Sequence, residues 1–171
     1  WKASHDIGHK GFSLDYLKRL IELVEDHSRV FLSVEGEIPA QLEKYKLPID
    51  PTEIHNILYY AELFIGEGAT MASECAVLGT PSIYVNSLSA GSLENQAKEN
   101  LIHMFNSTDG VIEKVEEILK NDNYKTQQKI MRDKALEKKV DVNKFMEWFI
   151  LNYPNSYEKI KENPSLQYEI K

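Results

Sequence analysis

The stretch most able to do chemistry runs from Gly66 to Pro81 and reads Gly-Glu-Gly-Ala-Thr-Met-Ala-Ser-Glu-Cys-Ala-Val-Leu-Gly-Thr-Pro. It follows an apolar run, Leu63-Phe64-Ile65, and carries a helical segment from Thr70 to Leu78 that Gly79 stops. A glycine turn there lets backbone come close to a ligand. The free N–H groups of residues 69–72 then face it with the positive end of the helix dipole. Amides arranged this way hold a diphosphate without a basic patch. Thr70 adds a hydroxyl. Glu74, four residues on, lies one turn further along the same helix face, where a carboxylate can accept both hydroxyls of a ribose. The plainer alternative is packing, with Gly66 and Gly68 making a tight turn and Glu74 solvated. On that alternative Ala69, Ala72 and Ala76 allow close helix–sheet approach, and Cys75 is read as a buried small hydrophobe.

A second candidate is the opening loop Ser4-His5-Asp6-Ile7-Gly8-His9. A histidine beside an aspartate can do general acid–base work near neutral pH, which makes His5 and Asp6 the candidate catalytic residues. Their structural alternative is a polar loop capping the helix that follows. His5 and His9 with Asp6 could in principle hold a metal, but no metal and no cofactor is expected.

These residues need elements to position them, and the first 120 residues alternate between two periods. Ser13 can cap a helix with Leu14, Leu17, Leu20, Ile21 and Val24 on one stripe. Val30-Phe31-Leu32-Ser33-Val34 reads as a strand buried on both faces. Asp50-Pro51-Thr52-Glu53 is a helix start, with Asp50 as N-cap, Pro51 at the first position and Glu53 closing a capping box. Ile54, Ile57, Leu58 and Ala61 then form that helix's buried stripe. Leu63–Ile65 and Pro81–Val85 read as strands, and Val111, Val115, Ile118 and Leu119 mark a further helix. Strands alternating with helices at these lengths predict βαβ units and a parallel sheet. The tail is helical throughout. Asp141 can cap a helix with Val142, Phe145, Met146, Phe149 and Ile150 on one face, ended by Pro154.

Composition narrows the classes. The chain has 171 residues, with 20 Lys+Arg against 27 Asp+Glu, a net charge of −7. No overall positive field gathers phosphates, so a nucleic-acid partner is not expected. No apolar run approaches the roughly 18 residues needed to span a bilayer. One cysteine excludes a disulfide framework and any zinc site built from several thiolates. The sequence opens at Trp1 without a basic-then-apolar leader, so the expected location is cytoplasmic.

The run 66–81 resembles the nucleotide-sugar site in the C-terminal domain of two-lobed GT-B enzymes. It is similar to the matching element of bacterial UDP-N-acetylglucosamine 2-epimerases and of the lipid II-forming N-acetylglucosaminyltransferase. In those proteins a Glu five residues before the Gly of a Gly-x-Pro holds the ribose, and Glu74 stands five before Gly79. Their Ser/Gly/Thr turn wraps the diphosphate, which carries over to Gly68, Ala69 and Thr70. Across residues 1 to 152 the chain resembles more closely the prokaryotic family known as domain of unknown function 354. The shared features are its Trp-Lys-Ala-Ser-His-Asp opening, its Tyr-Tyr-Ala-Glu-Leu-Phe-Ile-Gly-like strand and its Asp-Val-x-x-Phe tail helix. The epimerase likeness places His5 where a loop histidine reaches the sugar and phosphates. The transferase likeness offers Ser87, Ser89, Asn95 and Gln96, within 86–100, to the donor sugar.

The resemblance implies an α/β fold, a Rossmann-like open parallel sheet with flanking helices, forming the C-terminal half of a GT-B enzyme. Residues 1–140 would be the nucleotide-sugar-binding domain and 141–171 helices packing on it. The related domains place a first strand immediately before Trp1 and a whole lobe before that. Their absence here is expected to leave a gap in the sheet and to make this piece a weak binder without turnover. The expected function is UDP-sugar binding in a glycosyltransferase-like enzyme. A UDP-N-acetylglucosamine 2-epimerase-like enzyme is one alternative. A non-catalytic interaction module using the tail helix around Phe145 and Trp148 is another. Expected partners are the nucleotide-sugar substrate, the N-terminal lobe and, in a homo-oligomer, a second copy.

Overall fold

The structure is a computed structural model and describes residues 12–34, 36–88 and 91–170. Two compact units divide the chain, Trp1–Arg132 and Asp133–Lys171. Within the first, α1 (Leu14–Glu25) is capped by Ser13, whose hydroxyl accepts from the Tyr16 amide at 3.2 Å. The helix buries two faces of its stripe. Leu20 joins Ile83, Val85, Val111, Val115 and Ile118 in the main core, while Leu17 and Ile21 pack with Leu42 in a second cluster that takes in Val30 and Leu32.

Next come α2 (Ile54–Tyr60), β1 (Phe64–Gly66), α3 (Ala69–Leu78), β2 (Ser82–Val85), α4 (Gly91–Lys98), β3 (His103–Phe105), α5 (Val111–Leu119) and α6 (Tyr124–Leu136). The three strands form one parallel sheet in the order β1-β2-β3, with Ile65 beside Ile83 and Ile83 beside His103. The domain is therefore α/β, an open parallel sheet with flanking helices. All four residues of β2 are buried, as a central parallel strand requires.

The segment 30–34, expected as a strand, does not join this sheet. It makes one isolated parallel bridge, Leu32 to Lys46, through the Leu32 amide to the Tyr45 carbonyl at 2.7 Å and the Leu47 amide to the Leu32 carbonyl at 2.9 Å. Val30 and Leu32 pack on Leu17 and Ile21 of α1 while Phe31 is exposed, so the segment is held by one face and not buried on both as expected. The start of α2 also differs from a capping box. Asp50 accepts from the Thr52 amide at 2.9 Å and hydroxyl at 2.7 Å, which holds its carboxyl below the usual range. Residues 51–53 form a 3-10 turn, and the Glu53 carboxylate accepts from the Asn56 side chain at 2.6 Å instead of reaching back to Asp50.

Small residues bring α3 down onto the sheet: Ala72, Cys75 and Ala76 are fully buried. Burial, with the charge of Glu74, pushes the Cys75 thiol up to about 12, so it stays protonated and unreactive. Gly79 ends the helix at φ +77°, a left-handed C-cap that favours glycine. Its neighbour Thr80 is buried and donates its hydroxyl to the Leu58 carbonyl at 2.7 Å, closing the C-terminal end of α2. Lys125 of α6 donates to the Tyr60 and Ala61 carbonyls at 3.0 and 2.7 Å, adding a cation at the same end.

In the second unit, α7 (Val142–Leu151) starts where the Asp141 side chain accepts from the Lys144 amide at 3.1 Å. Phe145 lies 6.2 Å from Trp148 and 5.8 Å from Phe149, ring centre to ring centre. In α8 (Asn155–Glu162), Ser156 is buried and donates to the Phe149 carbonyl at 2.6 Å. Among the described residues no helix is long and apolar enough to cross a membrane.

Candidate functional site

Loops at the carboxyl ends of parallel strands face the same way, and helix N-termini point there. At the end of β1 two glycines do different work. A Cβ on Gly66 would stand 2.6 Å from the tip of the Phe64 ring, so a side chain there would force that ring to shift. Gly68 has no such neighbour. Its φ is −83°, open to any residue, and nothing lies within 4 Å of a Cβ built there. Packing and backbone both leave position 68 free, and the glycine keeps open space in front of α3.

Gly68 is also the N-cap of α3, with no side chain capping it. The Ala72 amide bonds to the Gly68 carbonyl at 3.1 Å, so the amides without an intrahelical acceptor are those of Ala69, Thr70 and Met71. The expected set of 69–72 is thus one residue shorter. Thr70 is exposed beside them and Ala69 is half-buried.

A cleft of about 360 Å³ lies between α3 and α4, lined by Ala69, Thr70, Ser73, Glu74 and Ser92. Ligand pockets usually run from about 300 to 1,000 Å³, so this one falls at the small end of that range. Glu74 is one turn in from the helix start, and its Oε2 lies 3.4 Å from Nε2 of His55 on α2. From α4, Gln96 donates to the Ser73 carbonyl at 3.4 Å, while its Oε1 is buried without a hydrogen-bond partner among the described residues. Asn95, the other expected residue on α4, is exposed and not among the cleft-lining side chains. His5, Asp6 and Ser89 lie outside the described residues.

A larger hollow of about 500 Å³ sits off the C-terminal end of α1, lined by Glu25, His27, Arg29 and Lys44 among others. Its charges are engaged locally, with Lys44 3.8 Å from Glu25 and over the Tyr45 ring at 4.4 Å. Among the described residues there is no cluster of three His, Cys, Asp or Glu side chains able to hold a metal.

Two residues of the site were not singled out from the sequence. Asn86 follows β2 and is nearly buried. Its amide nitrogen donates to the Glu67 carbonyl at 3.2 Å, its side-chain oxygen accepts from the Leu88 amide at 3.0 Å, and its own N–H donates to the Phe105 carbonyl at 3.0 Å. One side chain and one backbone amide thus tie together the ends of all three strands. A polar residue ending an apolar strand run was the available signal. His55 carried none, because an isolated histidine near a helix start reads as a surface residue.

The arrangement defines an α/β domain whose parallel sheet presents an uncapped helix start and a carboxylate one turn behind it. The chain belongs to the family described as protein of unknown function (DUF354), whose model matches residues 13–150. No curated protein and no solved structure matches it significantly.

Proposed function

We propose that this chain supplies the nucleotide-sugar-binding half of a GT-B glycosyltransferase-like enzyme, with a UDP-sugar as ligand. The observation that carries the reading is the uncapped start of α3 at Gly68, with open space before it and Glu74 one turn behind. In this reading the amides of Ala69, Thr70 and Met71 and the Thr70 hydroxyl hold the diphosphate. Glu74 accepts from the ribose hydroxyls. Gln96 and Asn95 of α4 are assigned to the donor sugar, and His5 with Asp6 is assigned the acid–base role.

The chemistry follows from charge. When a glycosyl group leaves its nucleotide, negative charge builds on the diphosphate. Fixed N–H dipoles aimed at that position stabilise the charge without reorganising. A UDP-N-acetylglucosamine 2-epimerase-like reaction draws on the same diphosphate site, and incubation with UDP-GlcNAc followed by assay for ManNAc separates the two.

An interaction module is favoured by one separate observation: Val142, Met146, Ile150 and Leu151 of α7 are exposed. That reading expects no nucleotide affinity and a state of assembly that depends on a partner. Isothermal titration of UDP and UDP-GlcNAc into the folded chain, with and without Glu74→Ala, decides between them. The expected result is saturable binding that weakens about tenfold or more in the variant, the usual loss for hydrogen bonds to a charged group. Absence of binding in a chain shown to be folded overturns the nucleotide reading and favours the module.

A further inference from the structure

We infer that His55 is a positioning residue of the α3 site, and that it makes the site selective for ribonucleotides, with their vicinal hydroxyls, over nucleotides that lack them. The inference rests on the nucleotide reading above and extends it to a residue on a different helix. His55 is the second residue of α2, and its Nε2 stands 3.4 Å from Oε2 of Glu74 across the α2–α3 contact. The other carboxylates at that end of α2 are already engaged. Asp50 accepts from Thr52, and Glu53 from Asn56 at 2.6 Å. Glu74 has no such local partner among the described residues, and its side chain is 35 % exposed.

A half-buried glutamate left to itself samples several rotamers, and fixing it for a ligand costs conformational entropy. Contact with His55 draws Oε2 toward α2 and restricts that freedom before a ligand arrives. A carboxylate offers about four lone-pair directions on two oxygens. With Oε2 beside the imidazole, the carboxylate keeps lone-pair directions that can accept two adjacent hydroxyls from a ligand in the cleft that Glu74 lines. The histidine therefore acts on the ligand only through Glu74. Its influence should be felt by a ribose with both hydroxyls and not by one lacking them.

A binding cycle isolates that coupling. UDP and 2′,3′-dideoxy-UDP are titrated calorimetrically into the full chain and into His55→Ala, with thermal melts to show that each is folded. His55 is 60 % exposed at the side chain, so its truncation opens no cavity. The wild type is expected to prefer UDP. His55→Ala is expected to reduce that preference about threefold, the scale of one exposed side-chain contact, while leaving the dideoxy affinity unchanged. His55→Gln, which keeps a polar donor, should retain most of the preference. Equal weakening toward both ligands, or no change, in a protein whose UDP binding needs Glu74, overturns the inference and spares the nucleotide site. A wild type that binds neither ligand overturns both.

Discussion

Asn86 and Glu67 are joined by a 3.2 Å hydrogen bond from the Asn86 side chain to the Glu67 carbonyl, and that bond fixes the turn from which α3 begins. Glu67 is held from a second side, since its carboxylate accepts from the Phe12 amide at the start of α1. The turn that would receive a diphosphate is therefore anchored by groups from β2 and from the α1 start, with its amides directed by structure it does not itself contain. Replacing Asn86 by Ala removes two side-chain hydrogen bonds, one to the Glu67 carbonyl and one from the Leu88 amide. A stability loss of about 1–3 kcal/mol is expected in urea unfolding, with UDP affinity falling alongside it. Stability lost with affinity intact would separate this turn from the ligand.

Gly68 gives a prediction in which stability and binding move apart. Aspartate at the N-cap accepts from the first-turn amides and places a negative charge at the positive helix end, so Gly68→Asp should melt no lower than the wild type. The carboxylate then occupies the place the diphosphate requires and repels it. Calorimetry should show UDP binding abolished in a protein of equal or slightly higher thermal stability. Retained binding would show that the helix start is not the anion site.

Much of this layout was legible in the sequence. Ser13 marked the start of α1, and the Gly66–Gly79 spacing marked α3 with its flanking strands. These signals are local, carried by caps and glycines whose conformational demands do not depend on distant partners. What the sequence did not reveal depended on partners. Val30–Val34 has the composition of a strand, but pairing needs a neighbour in register, and Val30 and Leu32 pack on α1 instead. β3 is only three half-buried residues, His-Met-Phe, too short to show alternation. α4 buries a single residue, Leu93, so it has no apolar stripe to read. The nearness of His55 to Glu74 is set by how α2 and α3 pack, which no spacing within either helix encodes.

His103 supplies a pH test of the fold. Its Nε2 lies 2.6 Å from the Tyr124 hydroxyl, and burial, with help from the Lys114 charge, holds its pKa below the usual value. The folded state thus disfavours the protonated ring, while the unfolded chain takes a proton near pH 6.5. The stability this group contributes is in place above that value. It is lost as pH falls through 6.5 toward the folded-state value. The melting temperature should therefore drop between pH 7.5 and 5 more steeply in the wild type than in His103→Gln. Parallel curves for the two would contradict the assignment.

The first-turn amides of α3 are the groups proposed to receive a diphosphate. Titrating UDP into the isotopically labelled chain and following backbone amide resonances by NMR reads those groups directly. The expected result is a set of saturable shifts centred on Gly68, Ala69, Thr70 and Met71, extending to Glu74, and absent when uridine replaces UDP. Shifts scattered elsewhere, or none at these amides at UDP concentrations that saturate binding, would contradict the account.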